Sequence, residues 1–303
     1  TSAFIREQSM QSMADVMRYV PGVTMGQGEG HRDAPTIRGN SSTADFFVDG
    51  IRDDAQYYRD FYNVERVEAL TGPNAMTFGR GGGGGVINRV TKQAQWAQPS
   101  EYTIEGGSHE HTRGTIDHGG AITEHIAGRV NAMYQSSSSF RDEFGLVRFG
   151  LSPSAAVRLG GSTMLRLNGE YFQDERRVDR GMPSFQGRPS TAPLDVFFGN
   201  PDSSRAELEV GTAGVTVEHR ANDRVSVRAH ARVTAYDKFY QNVLPGTMST
   251  FELTRRLADS DAAVIMKVGR NLPKSRQGLE ATGKLARAVY VERGTMDAAV
   301  CLP

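Results

Sequence analysis

His109 and His111 stand two residues apart in a strand-like segment. That spacing puts both imidazoles on one face, where such a pair can ligate a transition metal. His118 and His125 follow nearby, but spacing fixes no third ligand, and a solvated strand end or loop accommodates the same histidines. Cys301 is the only cysteine, which excludes an internal disulfide framework and a multi-cysteine zinc site. Gly26, Gly28 and Gly30 are spaced like a dinucleotide loop, yet no apolar strand precedes them and no helix-forming run follows. Lys267 and Arg270 have the type of anion ligands and equally of a solvated strand end. There is no HExxH, no nucleophile elbow and no Walker-type phosphate loop, so hydrolase, zincin and NTPase chemistry has no carrier here. Lys+Arg and Asp+Glu both number 35, giving zero formal charge and no footprint of a nucleic-acid partner.

The elements that must position any site are mostly strands. Phe46, Phe47 and Val48 run into an Asp49-Gly50 turn, and residues 64–70 alternate apolar and charged until Thr71, Gly72 and Pro73 break the pattern. Five glycines, 81–85, lead straight into Val86, Ile87, Asn88, Arg89 and Val90, which marks a compact turn feeding a strand. Ahead of these, Ser9 is placed to cap a short helix that carries Met10, Met13, Met17 and Val20 on one face; Pro21-Gly22 stops it. Those methionines read as core packing.

After Lys92 a two-residue period takes over. Ile126, Gly128, Val130, Ala132 and Tyr134 oppose Arg129, Asn131 and Gln135; Leu165, Leu167 and Tyr171 oppose Arg166, Asn168 and Glu170; Val225, Val227 and Val233 oppose Arg228, His230 and Arg232. Less regular strands near 102–107, 113–118, 144–151 and 206–218 bring the expected total to about seven. Connections at 119–124 and 221–224 are short, whereas 174–204 is long, the asymmetry of an outer-membrane barrel; the charged faces suit a wet lumen. A soluble antiparallel sandwich would alternate in the same way. The mean hydropathy of −0.46 does not oppose a barrel, since barrels score as polar in bulk.

The words IRGN (37–40), VDGIRD (48–53), YRD (58–60), VERVEALTGP (64–73) and FGRGGGGGVINRVTK (78–92), following VPGV at 20–23, occur in the order of the plug motifs of TonB-dependent outer-membrane siderophore receptors. Residues 4–240 resemble that family. The resemblance implies an α+β plug over 1–97 and an incomplete antiparallel transmembrane β-barrel of about seven strands over 98–243. It also implies a bacterial outer-membrane location, with no signal peptide in this chain, contact with outer-membrane lipid, and no nucleic-acid partner. It further implies uptake of a ferric siderophore as transported ligand, driven by the TonB energy-coupling complex, with no covalent cofactor, no metal centre and no catalytic residue. The expected ligand contacts are the plug apices, Asn40, Ser41, Ser42 and Thr43 with Gln56, Tyr57, Tyr58 and Arg59, because anionic iron chelates favour cationic and aromatic donors. Arg38 and Arg80 hold family positions that imply plug anchors pairing with carboxylates.

Beyond residue 250 the alternation stops, and Phe251 and Tyr290 are the only aromatic residues left. Residues 253–257 suggest a helix, 262–266 a buried strand, 275–281 a helix closed by Gly283 and 288–291 another strand, together a β-α-β fragment of α/β type. DAAVIMKVGRNLP and ARAVYVERGTM resemble the C-terminal domain of precorrin-2 C20-methyltransferase, an S-adenosylmethionine-dependent enzyme of cobalamin biosynthesis. The expectation is a chimera: a truncated receptor, not transport-competent alone, joined near residue 243 to a tetrapyrrole methyltransferase-like piece, 244–303, that lacks its cofactor-binding domain and catalyses nothing.

Overall fold

The computed structural model describes residues 1–42, 45–72, 75, 78–79, 84–185, 188–189, 191–242, 254, 272–284, 290–292 and 300–302. The chain opens with two short helices, α1 (Ser2–Glu7) and α2 (Met13–Met17). Ser12, not Ser9, caps the second: its hydroxyl accepts from the Asp15 amide while the Asp15 carboxylate accepts from the Ser12 amide. Ser9 sits at φ +47° in the turn between the helices. The methionine face is core, as its period implied. Met10, Met13 and Met17 are buried with Ile5, Val23, Ile37, Phe46, Phe61, Val64 and Ile87 in one cluster.

Strands β1 (Val23–Gly26), β2 (Ala34–Ile37) and β3 (Asn40–Ser41) form a small antiparallel sheet. Strands β4 (Phe46–Val48), β5 (Ile51–Arg52), β6 (Val64–Leu70) and β7 (Val86–Thr91) form a second sheet in the order β5-β4-β7-β6, with β4 and β7 parallel. Gly85, at φ +153°, lies where a Cβ would stand 2.6 Å from the Leu70 carbonyl oxygen, so only glycine lets the chain enter β7 against β6.

Seven long strands then pair antiparallel, each with its sequence neighbour: β8 (Glu101–Gly106), β9 (Thr112–Ala121), β10 (Ile126–Ser137), β11 (Leu146–Leu159), β12 (Thr163–Arg177), then, past a hairpin of β13 (Ser184–Phe185) and β14 (Arg188–Pro189), β15 (Arg205–Asn222) and β16 (Val225–Gln241). The turns at 122–125, 160–162 and 223–224 lie at one end of this wall; the longer connections 107–111, 138–145 and 178–204 lie at the other. One face carries exposed Tyr102, Ile104, Tyr134, Leu167, Tyr171, Val227 and Val233, while the other carries Asn131, Gln135, Arg148, Asp174 and Thr216, all buried. Much of that polar face is covered by the plug: the segment joining β5 to β6, with Asp49 and Lys92, packs against it. His109 and His111 lie in the 107–111 turn, not on one strand face, with His109 at φ +57°, and among the described residues no group of side chains forms a metal site.

In the last part of the chain the helix Leu272–Ala281 is present, three residues longer at its start than expected, and Gly283 at φ +67° follows it. The strand Tyr290–Glu292 pairs antiparallel with Val300–Leu302, a pairing not expected from the sequence. The expected strand 262–266 and, apart from Thr254, the expected helix 253–257 lie outside the described residues, as do Lys267 and Arg270. Among the described residues no helix is long and apolar enough to cross a membrane.

Candidate functional site

The segment joining β5 to β6 lies against the polar face of the wall and carries most of the charge that fixes one to the other. Asp53 accepts hydrogen bonds from four donors: Tyr57 Oη (2.9 Å), Arg59 Nε (3.1 Å), Arg89 Nη2 (2.7 Å) and, from β16 of the wall, Tyr236 Oη (2.7 Å). Burial alone would raise its pKa, but Arg59 and Arg89 hold it far below the usual carboxylate range. Arg59 is itself fully buried, stacked 3.8 Å from the Phe46 ring centroid and 4.3 Å from that of Tyr57, with its remaining hydrogens on the carbonyls of Asp53, Ala55 and Tyr57. Asp33 lies 3.5 Å from Arg59, and there burial outweighs the cation, raising its pKa. One carboxylate, Asp53, thus carries the main ion pairs, and Asp33 acts chiefly as a hydrogen-bond acceptor for the Arg59 amide.

A second link crosses at Asp60. Arg113 of β9 reaches it with two nitrogens, at 2.7 and 2.9 Å, and Arg148 of β11 with a third at 3.3 Å. Arg148 continues to Asp174 of β12 at 2.7 Å. Burial opposes the Asp60 charge, and the two arginines overcome it, so the carboxyl stays below its ordinary pKa. Further along, Tyr62 Oη and Asn63 Nδ2 both donate to Glu170 of β12, and Lys92 with Arg129 of β10 brackets Asp117 of β9. An apolar seam of Tyr57 and Tyr62 against Met133, Phe172, Leu208 and Val210 runs between these links.

At the long-connection end, cations and aromatics gather. Arg176 stacks 4.1 Å from the Tyr58 ring centroid, Arg32 donates to Gln56 Oε1 at 3.0 Å, and Lys238 Nζ reaches His31 Nδ1 at 2.7 Å. The His31 ring lies 3.9 Å from that of Tyr240. Burial, then Lys238 and Arg32, push the His31 pKa down to about 3, so it is a neutral acceptor for Lys238. Burial lifts the Tyr58 hydroxyl to about 12, and it donates to the Gln27 carbonyl. Described residues of the connection after β12 are tied here: Arg180 pairs with Glu29 at 3.2 Å, and Arg141 holds Asp179 at 2.5 Å and the carbonyls of Leu194 and Val196.

The expected contact residues therefore divide. Gln56 is exposed and Tyr58 half-buried at this end, Asn40 and Ser41 are exposed on β3, Ser42 is half-buried, and Thr43 lies outside the described residues. Tyr57 and Arg59 are buried and cannot touch a ligand without rearrangement; they belong to the Asp53 network. Arg38 is exposed at φ +50° and makes no ion pair among the described residues, so Arg59 and Arg89, not Arg38, provide the carboxylate pairing; Arg80 lies outside the described residues. Arg32, Arg176, Lys238 and the carboxylates Asp53 and Asp60 are absent from the sequence-based set. Their signal was present: Asp53 and Asp60 close the words VDGIRD and YRD, and Arg113, Arg148 and Arg176 occupy the polar phase of alternating strands.

Two small sheets docked by buried ion pairs on the polar face of an up-and-down antiparallel wall are the architecture of a plugged barrel, the class of the TonB-dependent receptors. Residues 1–86 match the family described as TonB-dependent Receptor Plug Domain. The chain is 34% identical over 241 residues to the probable TonB-dependent receptor BfrD of Bordetella pertussis, covering 75% of this chain and 32% of that protein. It is 31% identical over 248 residues to the catecholate siderophore receptor Fiu of Escherichia coli K12, covering 75% of this chain and 32% of that protein. The open-form crystal structure of Fiu superposes with a TM-score of 0.73 at 28% identity, over 80% of this chain and 38% of that one. The siderophore receptor PiuA from Acinetobacter baumannii gives 0.72 at 28%, over 78% and 35%. The chain spans about a third of the length of the curated relatives it matches. Its plug and partial barrel are like those of TonB-dependent receptors, which are outer-membrane transport proteins and not enzymes. Neither the methyltransferase resemblance nor S-adenosylmethionine gains support from these matches.

Proposed function

We propose that this chain is the plug, 1–97, and the first barrel strands, 98–243, of an outer-membrane receptor that takes up ferric siderophores with TonB as its energy-coupling partner. The observation that carries the proposal is the charge arrangement: ion pairs buried between plug and wall, beneath an end rich in Arg32, Arg176, Lys238, Tyr58 and Tyr240. In barrels of this kind the long connections face outward, which turns that end toward the medium. Cations and aromatic rings there suit an anionic iron chelate of the catecholate class, the ligand named for Fiu. Within the plug the ligand contacts are Asn40, Ser41, Ser42, Thr43, Gln56 and Tyr58; Arg59, Tyr57 and Arg89 transmit their position to the core. Binding and passage need no covalent step. The methyltransferase reading of 244–303 has no such supporting geometry and is not part of this function.

The test is equilibrium binding of iron-loaded tris-catecholate to outer membranes carrying the protein. Replacing Arg32 and Arg176 together with alanine is expected to weaken binding by roughly a hundredfold or more, the loss of two charge-assisted contacts at about 1.5–3 kcal/mol each. Unchanged affinity in the double variant would remove this end of the molecule as the ligand site.

A further inference from the structure

Residues 28–30 carry backbone strain at the long-connection end. Gly28, Glu29 and Gly30 stand in succession at φ +47°, +64° and +79°, and Glu29 takes ψ 22°, a left-handed conformation that is costly for any residue with a Cβ. Groups from plug and wall hold this turn in place. The Gly30 amide donates to the Gln27 carbonyl at 2.9 Å, Tyr58 Oη donates to the same carbonyl at 2.7 Å, and Tyr240 Oη of β16 donates to the Glu29 carbonyl at 3.5 Å. Gly28 admits a close approach, since a Cβ there would stand 2.2 Å from Arg32 Cγ. Strain held from several sides marks a segment shaped to place a side chain.

The side chain so placed is a carboxylate among cations. Glu29 Oε1 accepts from Arg180 Nη2 at 3.2 Å, and its other oxygen lies 4.0 Å from His31 Nε2, which Arg32 Nη1 reaches at 3.1 Å. Two neighbouring carboxylates are committed inward: Asp174 is buried between Arg148 and Arg176, and Asp179 is held by Arg141. Glu29 differs from both. Its side chain is 43% exposed and that of Arg180 33%, so their pair stabilises little and a competing anion can replace it. Arg32 Nε, which lies over Gly28, is buried without a hydrogen-bond partner among the described residues, so a donor remains there for an incoming acceptor. An anionic ligand and the Glu29 carboxylate thus seek the same cations.

We infer that Glu29 is a resident competitor: it occupies Arg180 in the empty receptor, ties the connection after β12 to the plug, and is displaced when an anionic iron chelate takes Arg180. Binding then frees that connection from the plug. This inference rests on the uptake function proposed above, which supplies the charge of the ligand. The test is a double-mutant cycle of Glu29→Gln and Arg180→Ala in outer membranes. It is read by equilibrium binding of iron-loaded tris-catecholate and, without ligand, by protease cleavage of the connection. Glu29→Gln is expected to bind about twofold to fivefold tighter than wild type, the range of one exposed ion pair, and to lose that gain when residue 180 is alanine. Affinity at or below the wild-type value in Glu29→Gln, or a gain that survives Arg180→Ala, would overturn the competitor. Without ligand, each single variant is expected to quicken cleavage of the connection and the double variant no further; unchanged cleavage would overturn the tie. If wild type and variants all fail to bind the chelate, the uptake reading fails, and the cleavage cycle still decides whether Glu29 holds the connection.

Discussion

Asp60 is one small side chain on which two wall arginines converge, and both are buried with it. Removing it leaves Arg113 and Arg148 without that carboxylate, a loss of about 3–5 kcal/mol for a broken buried pair. Asp60→Ala is therefore expected to make the plug sensitive to protease in intact outer membranes while the wall stays resistant; equal resistance to wild type would show that the pair does not hold the plug. The same chemistry sets the pH response. The folded Asp60 carboxyl titrates below its ordinary value, so its contribution is complete above about pH 4 and is lost as pH falls through the depressed folded value. His31 acts with the same sign over a higher window. Between 6.5 and about 3 the unfolded chain binds a proton that the folded site refuses, so stability declines as pH drops through that range. His31→Gln is expected to flatten the thermal midpoint between pH 6 and pH 4; an unchanged slope would mean that the ring is not held neutral by Lys238 and Arg32. Residue type alone did not separate a ligand contact from a buried stack at Arg59, which the structure buries. A cation between two aromatic residues fits an exposed apex or a buried stack equally well, and only Phe46, brought in from β4, decides for the stack. Arg38 lies exposed at φ +50° and makes no ion pair among the described residues.

At the scale of elements, the wall was the most legible part. A two-residue period reports both faces of every strand, and neighbours in sequence pair with each other, so seven segments in order became seven strands in order. Their ends were less legible: β12 runs to Arg177 and β16 to Gln241, because long strands carry on past the point where their apolar residues thin out. The parallel β4–β7 pair was not legible, since its partners lie about forty residues apart and nothing local marks them. The helix cap was misplaced for a local reason. Ser9 and Ser12 both have the type, but only Ser12 has an acidic residue three positions on to complete the box. The junction of the plug end with the 178–204 connection makes its own prediction. Gly30, at φ +79°, would place a Cβ 2.4 Å from the Asp179 carbonyl oxygen, so Gly30→Ala combines backbone strain with a backbone clash. It is expected to displace that connection and speed its cleavage by protease added to intact cells. No change in cleavage would mean that the connection does not rest on the plug.

The molecule as a whole joins a charged interior to an apolar exterior. Val233, midway along β16 and 75% exposed, lies on the face assigned to lipid. Val233→Arg is expected to cost about 2–4 kcal/mol in the membrane and to lower the amount of protein assembled there, whereas tolerance of the arginine would argue for a solvated exterior. The plug motifs and the alternation made receptor and barrel legible together, because one supplies order and the other period. The final sixty residues gave only short apolar runs with no partner pattern; the described strand there pairs antiparallel with Val300–Leu302, and its expected parallel partner, 262–266, lies outside the described residues. The measurement that bears most directly on the central claim is 55Fe uptake from tris-catecholate in an iron-starved source strain, comparing a deletion of the gene with its complement, each with and without a protonophore. Uptake that is lost on deletion, restored by the complement and abolished by the protonophore is the predicted result. Uptake that is equal in all strains, or that persists without the proton gradient, would contradict it.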